Sequence, residues 1–148
     1  MNFREIADTV LNASPAGETE VLAMEQDESL TRFANNFVHQ NVTERNLQIT
    51  VRAVVGTKAG IAVSNDARLE GLQQLAARAY DAAKLQPENP EFKGLPAPRP
   101  ASSVNAFDVL AAECAPEQRA KNAGIICRKA AAAGCSAAGS ITTSALAI

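Results

Sequence analysis

Arg32, Arg45 and Arg52 are the side chains of this sequence best suited to hold a ligand. They fall in or beside stretches whose apolar and polar residues alternate, the pattern of a half-buried strand. A guanidinium carried on a strand can grip a carboxylate or a peptide backbone through paired hydrogen bonds. The three are the candidate contacts to a peptide or a protein interface, set against the plainer reading of solvated surface charge. No catalytic residue stands out beside them, because the chain offers no nucleophile paired with a base.

The other reactive side chains read as structural. His39, the single histidine, has no second histidine and no cysteine at ligand spacing, so a surface or interface role is expected. Cys114, Cys127 and Cys135 are separated by 13 and 8 residues, which matches neither a zinc pattern nor a disulfide framework. Cys127 lies among Ala and Ile at helical spacing and is expected to act as a small apolar side chain. Cys114 lies near a helix start, where a thiolate is favoured. Glu25, Asp27 and Glu28 read as a solvated turn at a strand end. Gly56 and Gly60 flank Thr57-Lys58 without the longer run of a phosphate loop, so a hairpin turn is expected there. No metal ligand is expected.

Composition narrows the classes further. The 148 residues suit a single domain, and the 47% apolar content can bury a core of Ala, Val, Leu and Ile, since aromatic residues make up only 4%. The net charge is −2, and Lys and Arg are scattered among acids, unlike the basic stripe of a nucleic-acid binder. No apolar run approaches the ~20 residues of a membrane span, and MNFREIADTVLNAS lacks a signal-peptide profile. No direct nucleic-acid or membrane partner is expected. The odd cysteine count fits a cytoplasmic location.

The elements that must position these residues follow from periodicity. Phe3, Ile6, Ala7, Val10 and Leu11 predict a helix over residues 2–12, stopped by Ser14, Pro15 and Gly17. Residues 19–26 predict a strand. Two more, over 30–34 and 37–43, flank Asn35-Asn36, a pair that tolerates positive φ in a tight turn. Residues 47–55 give the clearest strand, with Leu47, Ile49, Val51, Ala53 and Val55 on a buried face and Gln48, Thr50 and Arg52 on a wetter one. Gly56-Thr57-Lys58 turns the chain, and Ile61 and Val63 are expected to return along the same buried face. Ser64-Asn65-Asp66 supplies cap chemistry for a helix running to about Leu85, with Leu69, Leu72, Leu75, Ala76, Ala79 and Ala83 as its apolar stripe.

Residues 87–100, PENPEFKGLPAPRP, hold five prolines and predict an extended strap, pinned by Phe92, Leu95 and Phe107. Pro116 opens another helix, with Gly134 as its C-cap. CSAAGSITTSALAI reads as a strand that stops in mid-pattern, so the chain is expected to be a fragment of a longer protein. The class is α+β: a mostly antiparallel β-sheet of about five strands with two or three helices packed on one face.

The order of these segments carries a resemblance. The run TRFANNFVHQNVTERNLQITVRAVVGTKAGIAVSND is followed by the helix RLEGLQQLAARAYDAAKL. Then come the proline strap with Phe107-Asp108, and APEQRAKNAG leading to the strand that ends SALAI. Over nearly its whole length the chain resembles the N-terminal domain of the TldD/PmbA family, peptide-maturing metalloproteases also called modulators of DNA gyrase. The resemblance implies a zinc site on a His-Glu-x-x-x-His helix in a C-terminal domain. One histidine cannot supply that motif, so no catalytic or metal-binding residue transfers. The implied cofactor is none in this chain, with zinc for the full-length family.

For this chain the resemblance implies a non-catalytic domain that helps wall a peptide cleft and assemble a dimer. The implied partners are the C-terminal catalytic domain of the same protein, a homo- or hetero-dimer partner and an extended peptide substrate. The rival reading is a stand-alone adaptor that binds a protein through an exposed sheet edge.

Overall fold

A computed structural model describes residues 2–100, 102 and 104–148. Along them run α1 (Phe3–Ala13), β1 (Glu18–Ala34), β2 (Phe37–Val55), β3 (Lys58–Ser64), α2 (Leu69–Leu85), α3 (Val109–Ala112), α4 (Pro116–Ala132) and β4 (Gly139–Ala147). The strands form an antiparallel sheet in the order β3-β2-β1-β4. This is the α+β class that the sequence predicts. The four strands are close to the expected number of about five; the segments expected over 19–26 and 30–34 are one strand, as are those over 37–43 and 47–55. Glu25, Asp27 and Glu28 therefore lie within β1 rather than in a turn. Alternation sends neighbouring charges to opposite faces, so a charged stretch need not end a strand.

The chain divides into two compact units. The first takes the described residues of Met1–Glu25 and Leu47–Ser102, with Ile148; the second takes those of Gln26–Asn46 and Ser103–Ala147.

In the first unit, Asn2 opens α1 with a reciprocal cap. Its Oδ1 accepts from Glu5 N at 2.8 Å, and Glu5 Oε2 accepts from Asn2 N at 2.9 Å. Ile6 and Val10 of α1 pack with Leu72, Leu75, Ala76 and Ala79 of α2 onto Ala23, Ile49, Val51 and Ala53 of the sheet. Burial of these apolar faces is the main drive for the layer.

Ile61 and Val63 do not join that core. The register pairs Arg52 with Ile61 and Thr50 with Val63, so both apolar side chains share the wetter face and are more than half exposed. Gly60 and Ala62 pair with Ala53 and Val51 and take the buried face. Gly60 is required there: a Cβ would sit 2.1 Å from Ala83 N and 2.5 Å from Ala79 O of α2.

The helix α2 begins later than its Ser64-Asn65-Asp66 cap chemistry predicts, with Arg68 as N-cap. Asp66 instead closes a tight turn, accepting from Arg68 N at 3.0 Å. Leu69 is exposed, whereas the rest of the predicted stripe is buried. Residues 86–100 form no helix or strand, as five prolines dictate. Leu95 N donates to Glu18 Oε2 at 2.6 Å, which ties the strap to the start of β1. Phe92 and Leu95 are half-buried, but Phe107 is exposed and pins nothing.

In the second unit, Asn35 and Asn36 turn the hairpin at φ 52° and 61°. Pro116 starts α4 as predicted, and Gly134 (φ +68°) follows it. Cys135 N donates to Ala130 O at 2.8 Å and Gly134 N to Ala131 O at 3.0 Å, a glycine-dependent helix stop. Ala123 and Cys127 of α4 pack on Phe33.

Candidate functional site

The arginines read from the sequence sit in different surroundings. In the first unit, Arg52 Nη2 donates to Glu20 Oε2 at 2.6 Å, while its Nε is buried and finds no partner among the described residues. In the second unit, Arg45 forms a two-pronged pair with Asp27, Nε to Oδ1 at 2.5 Å and Nη2 to Oδ2 at 2.9 Å. Those hydrogen bonds hold the Asp27 carboxyl below its usual range.

Arg32 lies on the opposite face of the hairpin from Arg45. It lines a shallow depression of about 320 Å³ with Glu28, Leu30, Gln40, Val42 and Glu44. Every lining residue is even-numbered, as one face of two strands requires. This depression offers one cation, two carboxylates, an amide and two apolar side chains, a mixture able to meet an extended peptide.

The odd-numbered side chains of the hairpin form a polar ladder. Asp27 meets Arg45, Ser29 Oγ lies 3.0 Å from Thr43 Oγ1, and Thr31 Oγ1 donates to Asn41 Oδ1 at 2.5 Å. Arg119 of α4 joins this ladder. Its Nε donates to Thr31 Oγ1 at 3.3 Å, and its Nη1 donates to Cys114 O. Arg119 is 1% exposed and forms no ion pair among the described residues. A buried guanidinium normally has an acidic partner, because desolvating an unpaired charge is costly. Sequence reasoning passed over Arg119. The available signal was its place at the head of a stripe spaced every four residues, Arg119, Ala123 and Cys127, which is the buried face of α4.

His39 is exposed on β2. The three cysteines are free thiols: Cys127 is buried against Phe33, Cys114 half-buried and Cys135 exposed. Among the described residues no three His, Cys, Asp or Glu side chains gather as a metal-binding group. Gly56 (φ +62°) turns the β2-β3 hairpin, where Val55 pairs with Lys58. No helix among the described residues is long and apolar enough to cross a membrane.

Comparison with known proteins bears on what this arrangement serves. Residues 19–83 match the family model described as PmbA/TldA metallopeptidase domain 1. The fold is similar to that of TldE from Thermococcus kodakarensis, with a TM-score of 0.78 at 14% identity over 97% of this chain and 33% of that one. A candidate modulator of a DNA gyrase from Thermotoga maritima gives a TM-score of 0.70 at 14% identity, over 98% of this chain and 33% of that one. A candidate modulator of DNA gyrase from Bacteroides thetaiotaomicron gives 0.71 at 12% identity, over 97% and 38%. The chain thus spans about a third of the length of these structures. No curated protein gives a significant match.

Proposed function

We propose that this chain, which over residues 19–83 is a TldD/PmbA-family first domain, is the non-catalytic N-terminal domain of a zinc metallopeptidase that matures or degrades peptides in the cytoplasm. In this reading it helps wall the peptide cleft and assemble the dimer. The observation that carries the reading is the match of residues 19–83 to a metallopeptidase domain 1. The residues present do not fit zinc: the lone His39 is exposed, and no metal-binding group surrounds it among the described residues. In this reading the chemistry belongs to a catalytic domain of the same protein, and this domain contributes confinement and contact. Arg32 and its depression, with Arg45 and Arg52, are the proposed peptide or interface contacts. Steric confinement of this kind selects extended substrates.

The test is proteolysis. The chain alone with added zinc is expected to leave an unfolded peptide intact. The two-domain protein, with the His-Glu-x-x-x-His helix in place, is expected to cleave it. Robust zinc-dependent cleavage by the chain alone would overturn the reading.

A further inference from the structure

We infer that the even-numbered face of the β1-β2 hairpin, in the second unit, selects extended peptides by charge pattern: a basic and an acidic side chain four residues apart, with an apolar one midway. The inference rests on the reading of the Arg32 depression as a peptide contact and names the peptide it takes. The register of the hairpin is marked on its odd-numbered face, where Asp27 meets Arg45, Ser29 meets Thr43 and Thr31 meets Asn41. The even-numbered side chains therefore stand across from one another as Glu28 with Glu44, Leu30 with Val42 and Arg32 with Gln40. These six line the depression of about 320 Å³. Along the strands the face reads acid pair, apolar pair, then cation with amide.

The charges on this face do not satisfy one another. Glu28 and Glu44 oppose each other directly, an arrangement that costs stability. Glu28 Oε2 accepts from the neutral Gln26 Nε2 at 3.2 Å. Arg32, Gln40 and Glu44 have no side-chain hydrogen bond or ion pair among the described residues. Arg32 stands four residues from Glu28, about 13 Å along an extended strand. Leu30 and Val42, half-buried, separate the two ends. On the odd-numbered face, by contrast, Arg45 closes directly on Asp27. The hairpin thus pairs its opposite charges on one face and holds them apart on the other.

The spacing selects the ligand. An extended peptide presents side chains i, i+2 and i+4 on one face at the same steps of about 6.6 Å. A basic side chain then meets the two glutamates, an apolar one lies on Leu30 and Val42, and an acidic one reaches Arg32, whose uncommitted guanidinium can grip it with two prongs. A helical peptide does not fit, because its i and i+4 side chains are only about 6 Å apart. A second copy of this chain, turned about an axis across the strands, also sets acid over cation. Six side chains are few for that, since a standard protein interface takes about 20–30 residues a side.

The experiment is an NMR titration of the full chain, following the amide and methyl signals of Leu30, Arg32 and Val42. The probes are N-acetylated, C-amidated pentapeptides: Lys-Ser-Leu-Ser-Glu, Glu-Ser-Leu-Ser-Lys, Lys-Ser-Leu-Ser-Lys and Glu-Ser-Leu-Ser-Glu. A mixed-charge peptide, in whichever direction it lies, is expected to bind about fivefold tighter than either like-charged one, and high salt to erase the difference. Arg32→Glu alters an exposed side chain and makes the face wholly acidic, so its preference is expected to move to the Lys-Ser-Leu-Ser-Lys peptide. Equal binding of all four peptides at these signals keeps the peptide contact and overturns the charge selection. Binding of none overturns both. An unchanged preference in Arg32→Glu overturns the inference, as does a concentration-dependent dimer that moves the same signals without peptide.

Discussion

Arg119 Nε and Thr31 Oγ1, from residues 88 apart in the chain, meet at 3.3 Å inside the second unit. Thr31 is fully buried and passes its own proton to Asn41 Oδ1 at 2.5 Å. A hydroxyl has one donor and two acceptor sites, so Thr31 serves both neighbours at once. Thr31→Val preserves shape and removes that service, leaving the buried Arg119 Nε without its acceptor, while the exposed Asn41 can turn to water. A loss of about 1–3 kcal/mol is expected in urea unfolding, with Thr31→Ser closer to wild type. A Thr31→Val protein as stable as wild type would show that water replaces the hydroxyl.

Gly60 sets the distance between β3 and α2. A Cβ there meets only backbone atoms of Ala79, Ala82 and Ala83 within 2.7 Å, and backbone cannot rotate aside. Gly60→Ala is expected to cost about 3 kcal/mol or more, since α2 must lift from the sheet. Gly56→Ala meets nothing within 4 Å and bears only the strain of φ +62°, so about 1 kcal/mol is expected. Thermal melts of the two variants should rank in that order.

The two glycines also mark what the sequence discloses. The period of two over residues 47–55 revealed the buried face of β2, because alternation is a local property. Ile61 and Val63 misled, because an apolar side chain in a hairpin takes the face of its register partner, and Arg52 and Thr50 face outward. Arg45 and Arg52 were legible as residue types, but Asp27 and Glu20 lie 18 and 32 positions away and are brought to them only by strand pairing. Arg119 stayed hidden for the same reason. A charge on an apolar stripe reads as the stripe's edge until the fold supplies Thr31 and Cys114 O.

Asn36 does more than turn the hairpin. Its Nδ2 donates to Cys135 O and its Oδ1 accepts from Ala137 N, both at 2.8 Å, which ties the turn to the segment leading into β4. Asn36→Gly keeps the positive φ and removes both ties, so a loss of about 1–2 kcal/mol is expected, with faster amide exchange at Ala137. Asn35→Gly, at φ 52°, is expected to change stability by less than about 0.5 kcal/mol. Equal effects at the two positions would mean that only turn conformation matters.

Asp66 and Arg68 set an acid-sensitive contact at the entrance to α2. Arg68 donates Nε at 2.9 Å, Nη2 at 2.7 Å and its backbone N at 3.0 Å. The side-chain bonds, then the backbone one, hold the Asp66 carboxyl at about 2, against 3.8 for an ordinary aspartate. A carboxyl depressed in the folded state binds its proton more readily once unfolded. Its stabilising effect is complete above the unfolded value of 3.8 and fades as pH falls through about 2. Asp27, held down by Arg45, acts in the same direction. Melting temperature is therefore expected to fall between about pH 4 and pH 2, less steeply in Asp66→Asn and least in the Asp27→Asn/Asp66→Asn pair. High salt should flatten the wild-type slope as well, because both pairs are exposed and screened. An acid slope unchanged in the double variant would assign the sensitivity to other carboxylates.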